Sequence, residues 1–318
     1  MPGPERSAGS CGRMAMIDIA VVGGGPAGLT AALYAARAGR SVTVFEGNAF
    51  GGQITQSPLV ENYPGLGNIS GMELGDRMYV QAEQAGATLS FFGVEALQKT
   101  EHGTFLLATD DGTAEARAVI YAAGAAPRHL DLPGEEALVG RGLSYCALCD
   151  GAFFANQDVA VAGGGNTALE DALYLSERCR SVTLIHRRDT FRAEAALVER
   201  ARATKNLTIL TQAQITALQA QDGNLTRLVL QKQDGTREFL PVSGLFVAFG
   251  RVPDTALLSN LADRDNSGYL LTDDQLQTQT PGLFAAGDCR HKQIRQLTTA
   301  VSDGTVAAIS ACRYLGNR

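Results

Sequence analysis

Two ungapped stretches of this chain repeat one pattern at an offset of 140 residues, from 18 to 158. Asp18–Glu46 reads DIAVVGGGPAGLTAALYAARAGRSVTVFE, and Asp158–His186 reads DVAVAGGGNTALEDALYLSERCRSVTLIH. Roughly half the aligned positions are identical, and so long a spacing suggests a duplicated domain rather than a solenoid, whose repeats run about 20–50 residues. Each copy opens with a short β-branched run that predicts a buried strand, Ile19–Val22 in the first and Val159–Ala162 in the second. A glycine cluster follows, then a helix-forming stretch, then a second β-branched run, Val42–Phe45 or Val182–Ile185. The whole is a strand–turn–helix–strand unit, the context in which a glycine pattern acquires meaning. At 318 residues the chain also suits two cores better than one.

In the first copy Gly23, Gly25 and Gly28, with Pro26 and Ala27 between them, form G-x-G-x-x-G. The first glycine permits a tight turn, the second lets backbone approach a pyrophosphate, and the third lets helix pack on strand. The helix start then offers unpaired N–H groups and partial positive charge to the phosphates. The second copy carries the variant with alanine last: Gly163, Gly165 and Ala168, with Asn166 and Thr167 between. A lone pattern of this kind is often only a structural turn. Two copies in matching contexts predict an α/β chain with two Rossmann-like dinucleotide-binding domains.

The copies differ where such a fold reads the adenosine ribose, at the end of the second strand. The first has Glu46 there, a carboxylate that accepts from free ribose hydroxyls and repels a phosphate, which suits FAD or NAD. The second has His186, followed by Arg187 and Arg188, with Arg192 a turn further on. Guanidinium groups bind phosphate bidentately, so this site suits the 2′-phosphate of NADP. Taken alone, a His-Arg-Arg run reads as a solvated surface patch. Its alignment with Glu46 favours the nucleotide. Two unlike dinucleotide sites in one chain imply electron transfer between cofactors.

Between the repeats lies Ser144-Tyr145-Cys146-Ala147-Leu148-Cys149-Asp150-Gly151. A C-x-x-C can be half of a zinc site, a redox disulfide or a chance pair. Zinc requires four ligands, and Cys11, Cys179, Cys289 and Cys312 are isolated, with no histidine at ligand spacing. No metal is expected. Two thiols this close can close a small disulfide ring, and one can carry a depressed pKa. Asp150 is a candidate acid for a departing thiolate, or alternatively a capping or turn aspartate before Gly151. Cys179, Cys289 and Cys312 read as small buried apolar residues. His102, His129 and His291 show no partner pattern.

Hydrophobic residues make up 45% and charged residues 19%, a globular mixture, and the net charge of −6 disfavours a nucleic-acid partner. No apolar run approaches the ~20 residues that span a bilayer, so no membrane insertion is expected. Residues 1–15 read as a flexible tail, or as a start placed too early with Met14 or Met16 the true one, and not as a secretory signal. Without export the cysteines would be reduced thiols unless redox chemistry is their purpose, and cytoplasm is the expected location.

Taken together the motifs resemble the low-molecular-weight (bacterial-type) thioredoxin reductases, in class II of the pyridine nucleotide-disulfide oxidoreductases. The likeness runs from about Met16 to Leu315 and is carried by Gly23–Gly28, Gly51–Thr55 (GGQIT), Glu61–Gly65 (ENYPG), Cys146–Gly151 (CALCDG), Gly163–Leu175, His186–Glu194 (HRRDTFRAE), Gly244–Thr255 and Gly282–Ala300. It implies an FAD domain built from 16–128 and 252–318, with an NADPH domain over 129–251 inserted and bearing the C-x-x-C. Matching FAD positions are Glu46, Gly52, Gln53 and Asn62, then Gly287, Asp288, Arg295, Gln296 and Leu297. Asp288 follows the apolar run Leu283–Ala286, where it would meet a ribityl hydroxyl or merely end a strand. Resemblance also assigns the roles. Cys149 faces the flavin, Cys146 attacks the protein substrate, and Asp150 is the acid–base. The implied partner is thioredoxin, the implied assembly a homodimer, and a domain rotation would alternate disulfide and nicotinamide at the flavin. Leu148, Asp254 and Ser302 depart from residues common in the family, which leaves substrate preference open. Flavoenzymes with another dithiol acceptor share part of the pattern; a non-catalytic flavin sensor would have no use for the thiols.

Overall fold

The computed structural model describes residues 16–316; Cys11 and the expected N-terminal tail fall outside the described residues. Two compact units emerge, the first from the described residues up to Ala125 together with those from Pro253 onward, the second from Ala126–Val252.

The first unit begins with β1 (Ile17–Val22), α1 (Pro26–Arg37) and β2 (Val42–Phe45), then α2 (Gly71–Gln84), β3 (Thr88–Ser90), β4 (Val94–Lys99), β5 (Phe105–Thr109) and β6 (Gly112–Tyr121). Its sheet runs β3-β2-β1-β6-β5-β4, parallel through β1 and antiparallel at the β5 end. Ile19, Ala20 and Val21 are fully buried, because β1 is covered on both faces. Alternation divides them: Ile19 and Val21 pack with Leu29, Ala31 and Ala35 of α1, whereas Ala20 and Val22 pack with Phe105, Leu107 and Tyr121. Pro26 opens α1, where a missing N–H costs nothing.

Through β7 (Ala125–Pro127) the chain reaches α3 (Glu135–Leu138), β8 (Leu143–Ser144), α4 (Ala147–Asp150), β9 (Asp158–Ala162), α5 (Asn166–Ser176), β10 (Ser181–Ile185), α6 (Ala195–Ala203), β11 (Leu207–Leu210), β12 (Ala213–Gln221), β13 (Asn224–Lys232), β14 (Arg237–Pro241) and β15 (Gly244–Val247). A parallel sheet, β11-β10-β9-β15-β8, forms the second unit's centre, and β12-β13-β14 form an antiparallel layer. Val159 and Val161 face α5, while Ala160 and Ala162 face Leu228 and Leu230 of the antiparallel layer. The duplication extends to strand register: Ile19 stands opposite Val42, and Val159 opposite Val182, each pair displaced by the same 140 residues.

The return passes through β16 (Arg251–Pro253), adds β17 (Leu283–Ala285) in parallel to β6, and ends in α7 (Leu297–Gly316). Ala307, Ala308 and Ala311 of α7 share a core with Ala31, Ala32 and Ala35 of α1. Gly304 makes that approach feasible, since a Cβ there would lie 2.2 Å from the Ala27 carbonyl oxygen. Among the described residues no helix is long and apolar enough to cross a membrane.

Candidate active site

In the second unit β8 delivers Ser144 and Tyr145 to the start of α4. Cys146 is the extended residue that caps this turn, and its Sγ accepts the Cys149 N–H at 3.2 Å. One turn of helix thus brings the two sulfurs together, and they are joined as a disulfide with Cα atoms 5.3 Å apart. Cys149 and Leu148 are exposed and Cys146 is half-buried. Gly151 lets the turn rest on α5, for a Cβ there would lie 2.9 Å from Leu175 and 3.1 Å from Tyr174.

Asp150 does not cap the following 3-10 turn, Gly151–Phe154, so the capping alternative is not realised. Its Oδ2 instead accepts the Ser144 hydroxyl at 2.5 Å. Burial raises the Asp150 pKa, and this hydrogen bond opposes the rise without cancelling it. Ser144, buried at a strand end, also accepts the Cys146 N–H at 3.0 Å. Sequence reading missed it, because a serine beside a cysteine carries no spacing signal.

Tyr145 points the other way. Its hydroxyl lies 2.6 Å from Glu135 Oε1 and 2.7 Å from His129 Nδ1. A carboxylate only accepts, so the tyrosine proton goes to Glu135 and His129 donates through Nδ1–H. Burial pushes the Glu135 pKa up, but Tyr145, the N–H groups of Leu130 and Leu132, and His129 together hold it below its ordinary value. His129 and His291 therefore do have partners, the latter bonding Asp265 Oδ2 at 2.7 Å.

At the first unit's glycine loop, Gly23 has φ +104 and would place a Cβ 2.5 Å from the Ala122 oxygen. Gly28 would place one 1.9 Å from the Gly23 oxygen. Gly25 faces only Gly52, and no side chain caps α1, so the helix start presents open backbone. Ala27 is buried behind it. Glu46 accepts N–H bonds from Gly24 at 2.7 Å and Asn48 at 2.8 Å, retaining lone pairs for a ribose. Gln53 Nε2 donates to the Ala125 oxygen at 2.7 Å. Asn62 and Gln296, far apart in sequence, meet at 3.4 Å. Arg295 stacks on Tyr269, 3.9 Å from its centroid, and its Nε lies 3.4 Å from the Asp288 carbonyl oxygen. Leu297 packs on the cluster of Val60, Ile69 and Leu74.

Asp288 stands in a 3-10 turn, Gly287–Cys289, that Gly287 enters with φ +78. Its Oδ1 is buried and receives no hydrogen bond among the described residues, although Lys292 Nζ lies 3.4 Å away. A cradle that a Cβ would fill, an uncapped helix start and a buried acceptor lacking a donor fit a dinucleotide with ribose and polyol hydroxyls.

The second unit's loop is built on the same plan with different edges. Gly163 would bring a Cβ 2.6 Å from that of Ala168, so alanine at the third position depends on glycine at the first. Gly165 precedes α5, again without a side-chain cap. Asn166 exchanges hydrogen bonds with Glu194, at 3.2 and 2.9 Å, and the Arg192 N–H donates to the Gly164 oxygen at 2.9 Å, drawing residues 186–194 over the loop. Thr167, Arg187, Arg188 and Arg192 are exposed. His186 does not join them. Its ring is buried against Gly164, stacks on Phe191 and sits 3.0 Å from the Thr190 oxygen through Nε2, which must carry the proton. Burial, then the three arginines, lower its pKa against the opposing Thr190 carbonyl. The cationic edge is thus arginine alone.

Cys179 and Cys289 are buried, Cys312 is partly so, and burial raises all three thiols, Cys289 to about 12. Such thiols are poor nucleophiles. Among the described residues no three His, Cys, Asp or Glu side chains gather as metal ligands.

Paired glycine-loop units and a disulfide on one helical turn define a class, and comparison with known proteins assigns it. The model of the pyridine nucleotide-disulphide oxidoreductase family matches residues 17–304, and the chain belongs to that family. The family implies a flavin and a pyridine nucleotide. Within it, the chain is 45% identical to the thioredoxin reductase of Mycolicibacterium smegmatis, over 95% of this chain and 97% of that one. It is 40% identical to the thioredoxin reductase of Listeria monocytogenes, over 94% and 93%. Among solved structures, thioredoxin reductase from Streptococcus pyogenes superposes with a TM-score of 0.91 at 40% identity, covering 96% of this chain and 99% of that one.

Proposed function

We propose that this chain is an NADPH-dependent thioredoxin reductase whose first unit holds FAD and whose second holds NADPH. The observation that carries this reading is the Cys146–Cys149 disulfide with Asp150 held beside it by Ser144 at 2.5 Å. Glu46, Gly25, Gly52, Gln53, Asn62, Asp288, Arg295, Gln296 and Leu297 are the residues that would hold FAD. Gly165, Asn166, Thr167, Arg187, Arg188 and Arg192 would hold NADPH, with His186 as the neutral floor of that site.

Once bound, the two cofactors supply the electron pair that opens the disulfide. The residues do the rest. Two electrons and two protons convert the disulfide to two thiols, and Cys146, as thiolate, attacks the disulfide of thioredoxin. Cys149 then displaces the reduced product from the mixed disulfide, re-forming the Cys146–Cys149 bond. Asp150, kept protonated to higher pH than an exposed carboxyl, donates the proton the departing thiolate needs. A homodimer working in the cytoplasm completes this reading.

The purified protein should carry a yellow flavin that NADPH bleaches without oxygen, and oxidised thioredoxin should restore the colour. Cys146→Ser should keep the bleaching and lose thioredoxin reduction. Protein that bleaches fully yet passes no electrons to any thioredoxin of its own cell would remove the assignment.

A further inference from the structure

The first unit contains a buried charge cluster that the proposed chemistry does not use. Asp303 of α7 accepts the Gly287 N–H at 3.0 Å, Arg290 Nε at 2.9 Å and Lys292 Nζ at 3.0 Å on Oδ2, and Arg290 Nη2 at 3.1 Å on Oδ1. The Lys292 side chain is 7% exposed and that of Asp303 9%. Lys292 Nζ also stands 3.4 Å from Asp288 Oδ1, outside hydrogen-bond geometry but within ion-pairing reach. Removing ammonium and carboxylate groups from water costs several kcal/mol each, and good pairing only offsets that cost. An ammonium and a carboxylate buried this way, with Arg290 at their edge, are weak devices for stability. They are strong devices for fixing geometry.

Their placement says what is fixed. Asp303 is followed by Gly304, the residue that lets α7 touch the Ala27 backbone at the start of α1. Gly287, which Asp303 holds, would carry a Cβ 2.9 Å from that of Ala27. One turn of α7 therefore aligns the uncapped helix start with the loop that bears Asp288, and Lys292 bridges from that turn to the Asp288 carboxylate.

We propose that Lys292, anchored by Asp303, is a positioning residue that holds the Asp288 carboxylate in the orientation a flavin's hydroxyl-bearing chain requires. This rests on the first unit being the FAD site. Asp288 Oδ1 keeps an acceptor site for a ligand hydroxyl, while the neighbouring ammonium, 3.4 Å away, attracts the carboxylate and limits its rotation. Without the ammonium, the carboxylate would be free to rotate toward other donors.

The test is the rate at which flavin leaves the full-length holoenzyme, read as the return of free-flavin fluorescence after dilution. Lys292→Met should release flavin about tenfold faster, the scale of one lost charge-assisted contact, and Lys292→Arg should restore retention to within about threefold. In an Asp288→Ala background the methionine substitution should add almost nothing, because the two residues act through one contact. Equal retention by Lys292→Met and the unaltered protein would overturn the proposal. So would the same acceleration with and without Asp288, which would mark Lys292 as merely structural. If the unaltered protein bound no flavin at all, the FAD reading itself would fail, an outcome distinct from either.

Discussion

The Ser144 hydroxyl lies 2.5 Å from the Asp150 carboxylate and simultaneously accepts the Cys146 N–H, so a single buried side chain links the acid to the first thiol of the pair. Burial raises the Asp150 pKa and Ser144 lowers it, so Ser144→Ala should raise it further. Asp150 acts as an acid only when protonated. The alkaline limb of turnover should therefore move to higher pH in Ser144→Ala, as a pH–rate profile with saturating thioredoxin would show. An unmoved limb would separate Ser144 from the acid.

Asp150→Asn removes the proton source while preserving shape. Turnover should drop about 10²–10⁴-fold, the usual worth of a positioned acid, while bleaching of the flavin by NADPH proceeds. Stability should move oppositely. A carboxyl whose folded pKa is raised contributes stability present below its unfolded value and lost as pH rises through the folded one. At neutral pH Asp150 is thus a liability, and the asparagine variant should melt at a higher temperature in calorimetry.

The exposed Arg187 and Arg188 should govern which nicotinamide is used. Replacing either with alanine should weaken NADPH binding about tenfold, a charge-assisted contact's worth, and leave NADH unchanged. Measuring KM for both nucleotides checks this; parallel losses would move the 2′-phosphate elsewhere.

His186 predicts a pH effect on folding rather than on nucleotide binding. Its folded pKa is depressed by burial and by the neighbouring arginines, so it contributes stability above its unfolded pKa of 6.5 that is lost as pH falls through the folded value. His186→Gln should flatten the decline in melting temperature between neutral and mildly acidic pH. An unchanged slope would place the acid sensitivity in other groups.

Gly28→Ala should destabilise the first unit by about 1–3 kcal/mol, the range for overpacking, since the new methyl meets the Gly23 carbonyl at 1.9 Å. The protein should purify with little flavin, and its second unit should still bind NADPH.

Much of this was legible from the chain because strands buried on both faces read as uninterrupted apolar runs. The runs at Ile19–Val22 and Val182–Ile185 coincide with β1 and β10 to within two residues. The glycines were legible for a related reason: Gly23 and Gly28 sit where any side chain meets backbone, so only one residue type is tolerated. What escaped was polar and non-periodic. Ser144 and the Glu135–Tyr145–His129 network depend on how β8 turns into α4, and spacing does not encode that turn. His186 reads with its arginine neighbours because residue type alone carries charge, whereas its burial under Gly164 is decided by the loop. The Asp303–Lys292 cluster joins residues on one helix and the loop before it, a pairing visible only once α7 has been placed.

The close seat of α7 on α1 at Gly304 and Ala27 bears on synthesis. During translation, β1, α1 and β2 leave the ribosome long before β17 and α7, with the whole of Ala126–Val252 emerging between them. The nascent second unit can close while the first still lacks its covering helix, so the earliest cradle made is the last completed.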